Sequence, residues 1–210
     1  MPKAIIIKKN GGPEVLELQD VKIGAPGPDE IKVTNHAIGL NYIDTYHRSG
    51  LYPLKLPSGI GLEAAGKVEE VGSNVKEFNI GDNIAYASVP LGAYSQQRII
   101  PSKIAVKVPD GISHKQAATL MTKGLTTNYL LCKTYNLKAG ETVLFHAAAG
   151  GVGQIFGQWA KSLGSSRSGV DFPIWLKTCA RQEPPILFCP NPRSIKSSSD
   201  SISVSSRGLI

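Results

Sequence analysis

Thr142–His146 reads as a short apolar strand that runs into Ala147-Ala148-Ala149-Gly150-Gly151-Val152-Gly153, followed by a helical pattern ending near Leu163. No other feature narrows the fold as much. Strand, glycine turn and helix in that order form the βα half of a parallel α/β sheet. The free N–H groups and dipole of such a helix face whatever sits at the turn, so the unit suits an anionic ligand such as a pyrophosphate. Gly150 occupies the position of close backbone approach and Gly153 the position of helix–strand packing. Ala148 stands where the first glycine of Gly-x-Gly-x-x-Gly is usual. Two readings stay open on these residues, a dinucleotide site and a plain strand-to-helix turn.

Upstream the periodicity is that of β structure. Ala4–Lys9, Leu16–Val21, Glu30–Ala37, Gly66–Val71, Asn83–Ala87 and Gln97–Ile100 have strand character, and Gly11-Gly12-Pro13 and Pro26-Gly27-Pro28 punctuate them. A short helix fits Tyr42–Ser49. Together these predict a closed or nearly closed antiparallel barrel. The period changes at Ser113, a good N-cap with Gln116 as its capping-box partner. A helical pattern then runs to about Tyr135, with a break around Lys123-Gly124.

Composition limits the function classes. The 210 residues are 41% hydrophobic and 19% charged, enough for a compact core, and no apolar run is long enough to span a bilayer. Met1–Lys9 enters a strand pattern at once, without the apolar core of a secretory signal or the Arg-rich character of a transit peptide. Cys132, Cys179 and Cys189 show no metal-ligand clustering, so reduced thiols in the cytoplasm are expected. Residues 1–164 carry 17 Lys/Arg against 13 Asp/Glu, and the last 46 residues carry 6 against 3. That tail holds 11 serines and five prolines. Its composition predicts disorder, despite a weak Ile/Val alternation after Ser194.

Several segments resemble the zinc-free quinone oxidoreductases of the medium-chain dehydrogenase/reductase superfamily, the zeta-crystallin type. They are Asn10-Gly11-Gly12-Pro13-Glu14-Val15-Leu16, Gly39-Leu40-Asn41-Tyr42-Ile43-Asp44-Thr45-Tyr46, Arg48-Ser49-Gly50-Leu51-Tyr52-Pro53, Gly61-Leu62-Glu63-Ala64-Ala65-Gly66, Lys123-Gly124-Leu125-Thr126, and His146 to Gly153. The resemblance covers about residues 1–164. It implies a mixed β and α/β architecture, a GroES-like antiparallel barrel followed by a truncated, doubly wound Rossmann domain with NADPH in the cleft between them. The boundaries it implies are 1–112 for the barrel, 113–164 for the interdomain helix and first βα unit, and 165–210 for a Ser/Pro-rich tail that does not match.

The same resemblance assigns roles. Asn41, Asp44, Tyr46 and Tyr52 would shape the hydride-transfer cleft, Tyr52 meeting a flat substrate ring. Tyr42, Ile43, Asp44, Thr45, Tyr46, Thr126, Tyr129, Gly150, Gly151, Val152 and Gly153 would face NADPH. Each has a plainer reading beside it: capping and packing for Asn41 to Tyr46, a lid on the core for Tyr52, helix packing for Thr126 and Tyr129. Lys123 is a hydrogen-bonding group near the ribose or a solvated charge. His146 and Cys132 are expected to be structural. Asn41 and Leu62 stand where zinc-dependent relatives carry a cysteine and a histidine, so no metal is expected. Reduction of a quinone or other electron-poor small molecule then fits better than alcohol oxidation. Family relatives are homo-oligomers. The alternative is a truncated, cofactor-incompetent interaction protein. RNA binding, described for zeta-crystallin relatives, has no interleaved basic–aromatic surface to support it. After Gly164 no buried-strand pattern is legible, which leaves Arg167 and Asp171 without a strand to aim them at a ribose or its 2′-phosphate.

Overall fold

The structure, a computed structural model, describes residues 1–170. The chain divides into two compact units, Met1–Thr122 and one beginning at Lys123.

The first unit is built from antiparallel strands. β3 (Glu30–Gly39) lies at the heart of a five-stranded sheet ordered β7-β3-β5-β6-β8. The others are β5 (Glu63–Val71), β6 (Asn83–Ala87), β7 (Gln97–Pro101) and β8 (Ala105–Lys107). β1 (Lys3–Ile7), β2 (Glu17–Asp20) and β4 (Ser58–Gly59) form a second sheet ordered β2-β1-β4. An isolated Ala4–Ser95 bridge touches β1 from the loop before β7. Among the described residues no single ring of strands closes, so the arrangement is the open form of the expected barrel. Alternation along β3 and β7 points Ile31, Val33 and Ile100 into one core with Val68, Ile84 and Tyr86, all fully buried. Each such side chain contributes about 1.5–3 kcal/mol on burial. The Tyr86 hydroxyl donates to Asn35 Oδ1 at 3.1 Å.

β5 starts earlier than its pattern indicates, at Glu63. The segment Glu63–Gly66 is buried, and Gly66 permits close approach: a Cβ there would lie 1.9 Å from the Thr34 carbonyl oxygen. α1 (Tyr42–Ser49) follows β3 and ends at Gly50, whose φ of 87° is left-handed. α2 (His114–Asn128) starts with the expected reciprocal cap. Ser113 N–H donates to Gln116 Oε1 at 2.9 Å, and Gln116 N–H donates to Ser113 Oγ at 3.3 Å. Ala117 and Ala118 pack on Ala65 and Ala85.

In the second unit, α2 passes into a π-helical turn, Tyr129–Thr134, at the end of the expected helix. β9 (Thr142–His146) leads to α3 (Gly151–Ser162), and Leu131, Leu137, Phe156 and Ala160 form the core with Cys132, Phe145 and Trp159 against it. Cys132 is partly buried and packs against this core. β9 is less buried than its apolar pattern indicates. Only Leu144 is fully covered and His146 is exposed.

A second strand in this unit corrects the sequence reading. β10 (Ser166–Val170) runs parallel to β9 with Ser168 opposite Leu144 and Val170 opposite His146. Ser-Arg-Ser-Gly-Val has no apolar run, so side-chain patterning could not reveal it; a parallel backbone ladder forms it. Arg167 therefore lies on a strand. Asp171 and the rest of the tail lie outside the described residues.

Candidate functional site

In the first unit the site residues gather on α1 and its flanks. Asn41 caps the helix with an extended backbone (φ −129°, ψ 147°), and Asp44 Oδ2 accepts the Asn41 N–H at 3.0 Å, one arm of a capping box. Asp44 is buried, and its Oδ2 also accepts the Tyr94 hydroxyl at 2.8 Å. Burial, then this bond and the Asp44 charge, push the Tyr94 phenol far above its ordinary range. The Tyr94 ring lies against Gly61, where φ is 91° and a Cβ would fall 2.2 Å from the ring. Asp44 Oδ1 is buried without a hydrogen-bond partner, as is His47 Nδ1 one turn on.

The Asn41 side chain turns inward. Its Nδ2 donates to Glu63 Oε2 at 2.6 Å, and Glu63 Oε1 accepts the Thr122 N–H at 2.8 Å. Glu63 is 0% exposed. Gly39 is its cross-strand partner, and a Cβ there would meet Glu63 Oε2 and the Ala118 carbonyl within 2.4 Å.

An aromatic ladder covers the outer side of α1. Tyr42 meets Tyr46 edge-on at 5.3 Å between ring centroids, Tyr46 meets Tyr52 at 5.4 Å, and His47 meets Tyr52 at 5.9 Å. Tyr42 is 76% and Tyr52 46% exposed, so flat apolar area faces outward. Ile43 is half-buried. Thr45 Oγ1 donates to the Tyr42 carbonyl at 2.7 Å, which spends its hydroxyl on the helix.

The second unit holds the glycine turn. Ala147 takes a left-handed φ of 55°, and the Gly150 N–H donates to its carbonyl at 2.9 Å, which reverses the chain into α3. The tight position is Gly153: a Cβ would lie 2.6 Å from both Cα and O of Ala148. Gly150 has ordinary dihedrals (φ −68°, ψ 165°), and its Cβ would approach only the Ala147 carbonyl, at 3.0 Å. The Lys123 stem lies over Gly151, where a Cβ would come within 2.7 Å of Cδ and Cε. Helix geometry gives the N–H groups of Gly151, Val152 and Gly153 no intrahelical acceptor. Buried Thr127 donates from Oγ1 to the Lys123 carbonyl within α2 at 2.9 Å, and the same hydroxyl lies 3.5 Å from the Val152 carbonyl in the first turn of α3. Thr126 and Tyr129 lie three residues apart on α2 and its π-helical extension and are exposed.

Structure thus brings Asn41, Asp44, Tyr46 and Tyr52 together in one unit, and Thr126, Tyr129 and Gly150 to Gly153 in the other. Sequence reasoning missed Tyr94, His47, Thr122 and the role of Glu63. Tyr94 is 50 residues from Asp44, and no local signal links them. Among the described residues no group of three or more His, Cys, Asp or Glu side chains could hold a metal ion, and no helix is long and apolar enough to cross a membrane.

Residues 27–110 match the Alcohol dehydrogenase GroES-like domain family. A Quinone oxidoreductase of Pseudomonas aeruginosa is 59% identical over 165 residues, which cover 78% of this chain and 51% of that protein. The crystal structure of a Pseudomonas syringae quinone oxidoreductase aligns with a TM-score of 0.79 at 55% identity, covering 82% of this chain and 54% of that one. The Escherichia coli quinone oxidoreductase complexed with NADPH aligns with a TM-score of 0.78 at 53% identity, covering 80% and 52%. The chain spans about half the length of the curated relatives it matches.

Proposed function

The chain belongs to the quinone oxidoreductase family of the medium-chain dehydrogenase/reductase superfamily, and on that footing we propose that it serves metal-free, NADPH-dependent reduction of quinones in the cytoplasm. The observation that carries this reading is the β9–turn–α3 geometry. Gly153 leaves no room for a side chain, so the turn packs tightly, and the first-turn N–H groups of α3 stay available to a pyrophosphate. A Cβ at Gly150 would stand beside those groups, which is the place a phosphate must reach. The residues present therefore fit the cofactor.

NADPH, when bound, supplies a hydride to the quinone, and solvent supplies the proton that completes the hydroquinone. Gly150, Gly151, Val152 and Gly153 would hold the pyrophosphate, with Thr126 and Tyr129 as further contacts. Asn41, Tyr42, Ile43, Asp44, Thr45 and Tyr46 would line the nicotinamide end, and the Tyr46–Tyr52 ladder would offer a flat apolar face to the quinone ring. Asn41 is an amide engaged with Glu63, and Leu62 is a hydrocarbon. Neither supplies the thiolate or imidazole that catalytic zinc prefers.

The test is quinone-dependent oxidation of NADPH by the full chain at high cofactor concentration, with an ortho- or para-quinone and with chelator present. Consumption of NADPH that survives chelation and is lost in Gly150→Arg supports the proposal. Metal-dependent alcohol oxidation without quinone reduction would overturn it.

A further inference from the structure

We propose that Glu63 is a positioning residue for Asn41: its buried carboxylate fixes the orientation of the Asn41 side-chain amide by joining it to the backbone of α2. This rests on the reading of Asn41 as a site residue. Glu63 opens β5, directly across from Gly39, the last residue of β3, and Asn41 follows two residues later. The carboxylate is wholly removed from solvent, and each oxygen accepts from a different element. Oε2 takes Asn41 Nδ2 at 2.6 Å, and Oε1 takes the N–H of Thr122, within α2, at 2.8 Å. Asn41 Nδ2 also lies 3.5 Å from Thr122 Oγ1, so the amide meets α2 a second time.

An amide side chain looks nearly the same in its two flipped orientations, and only its neighbours decide which end faces where. Glu63 makes that decision because a carboxylate only accepts. The Asn41 NH2 must face it, and the Asn41 carbonyl must face away. Glutamine at position 63 cannot serve both donors. One of its two head atoms is an NH2, which opposes either Asn41 Nδ2 or Thr122 N–H, and flipping the Asn41 amide is the cheapest relief. The bareness of Gly39 belongs to the same device, since a Cβ there would strike Glu63 Oε2.

The experiment is nuclear magnetic resonance of the 15N-labelled full chain, followed at the Asn41 side-chain NH2 in wild type and Glu63→Gln. Asn35 is the internal control, because its Nδ2 donates to the backbone carbonyls of Ala93 and Ser95 in the same unit. In the wild type, one Asn41 Nδ2 proton resonates downfield and exchanges slowly. In Glu63→Gln that proton loses its downfield position and exchanges at least about tenfold faster, while Asn35 is unchanged. The same variant lowers the rate of quinone reduction about tenfold or more at saturating NADPH. Unchanged Asn41 signals in the variant overturn the proposal, as does an unchanged rate when the signature is lost. If Glu63→Gln does not fold, a wild-type Asn41 NH2 that exchanges like an exposed amide overturns it alone. If the wild-type chain reduces no quinone, the functional reading falls, and the Asn41 signature decides the positioning claim by itself.

Discussion

At the level of single residues, the glycines of the 150–153 turn separate into two kinds. Gly153 is sterically required, because a methyl group there would stand 2.6 Å from backbone atoms of Ala148. Gly153→Ala is expected to cost about 1–3 kcal/mol of stability, read by denaturant unfolding. Gly150 is the looser position, its Cβ meeting one backbone oxygen at 3.0 Å. Gly150→Ala is expected to lower the unfolding midpoint less than Gly153→Ala does and to weaken NADPH binding several-fold, measured by titration calorimetry, because a Cβ intrudes where phosphate oxygens must approach. The pair therefore distinguishes packing from binding within four residues. Sequence pattern already gave the two glycines different positions; the clash distances add how little room Gly153 leaves.

Among the elements, α2 and β5 carry the most weight for the site. The Ser113–Gln116 capping box was legible because it is local, and Ser113→Ala is expected to cost about 0.5–2 kcal/mol in unfolding experiments. The start of β5 was not legible at Glu63, because a buried acidic residue breaks the apolar pattern that marks a strand. Its partners are Asn41, on another element, and Thr122, 59 positions along the chain. Gly66 within β5 lets β3 come close, and a methyl group would lie 1.9 Å from the Thr34 carbonyl oxygen. Gly66→Ala is expected to cost about 3 kcal/mol or more, seen as loss of a cooperative unfolding transition under mild denaturant.

For the molecule as a whole, stability has an alkaline limit. Burial raises the phenol pKa values of both Tyr94 and Tyr86 in the folded state. The folded chain then holds those protons where the unfolded chain releases them. The stability they contribute is complete below the ordinary tyrosine value near 10 and is lost as pH rises above it toward the folded values. Thermal melts between pH 9 and 11 are expected to show falling Tm, and Tyr94→Phe should flatten part of that fall. Affinity is also a whole-molecule property. Contacts at one exposed helix terminus are worth about 0.3–1 kcal/mol each, and a micromolar site needs about 8 kcal/mol. NADPH binding therefore draws on contacts beyond the glycine turn, so substitutions at the turn are expected to weaken it without abolishing it, which calorimetric titration checks.

What the sequence determined by itself is what short stretches of chain decide. α1 over Tyr42–Ser49, β6 over Asn83–Ala87 and β9 over Thr142–His146 fall where periodicity and punctuation place them, and so do the capping box at Ser113 and the turn into α3. The forces that set these act between residues a few positions apart. Tertiary structure decided the rest: the open edge between the two sheets, the Tyr94–Asp44 bond, the Glu63 bridge from Asn41 to α2, and β10. β10 shows the reason most plainly. Ser166–Val170 offers almost no apolar pattern, yet its backbone groups find partners along β9, and a strand whose hydrogen bonds are met by a distant neighbour needs no signature of its own.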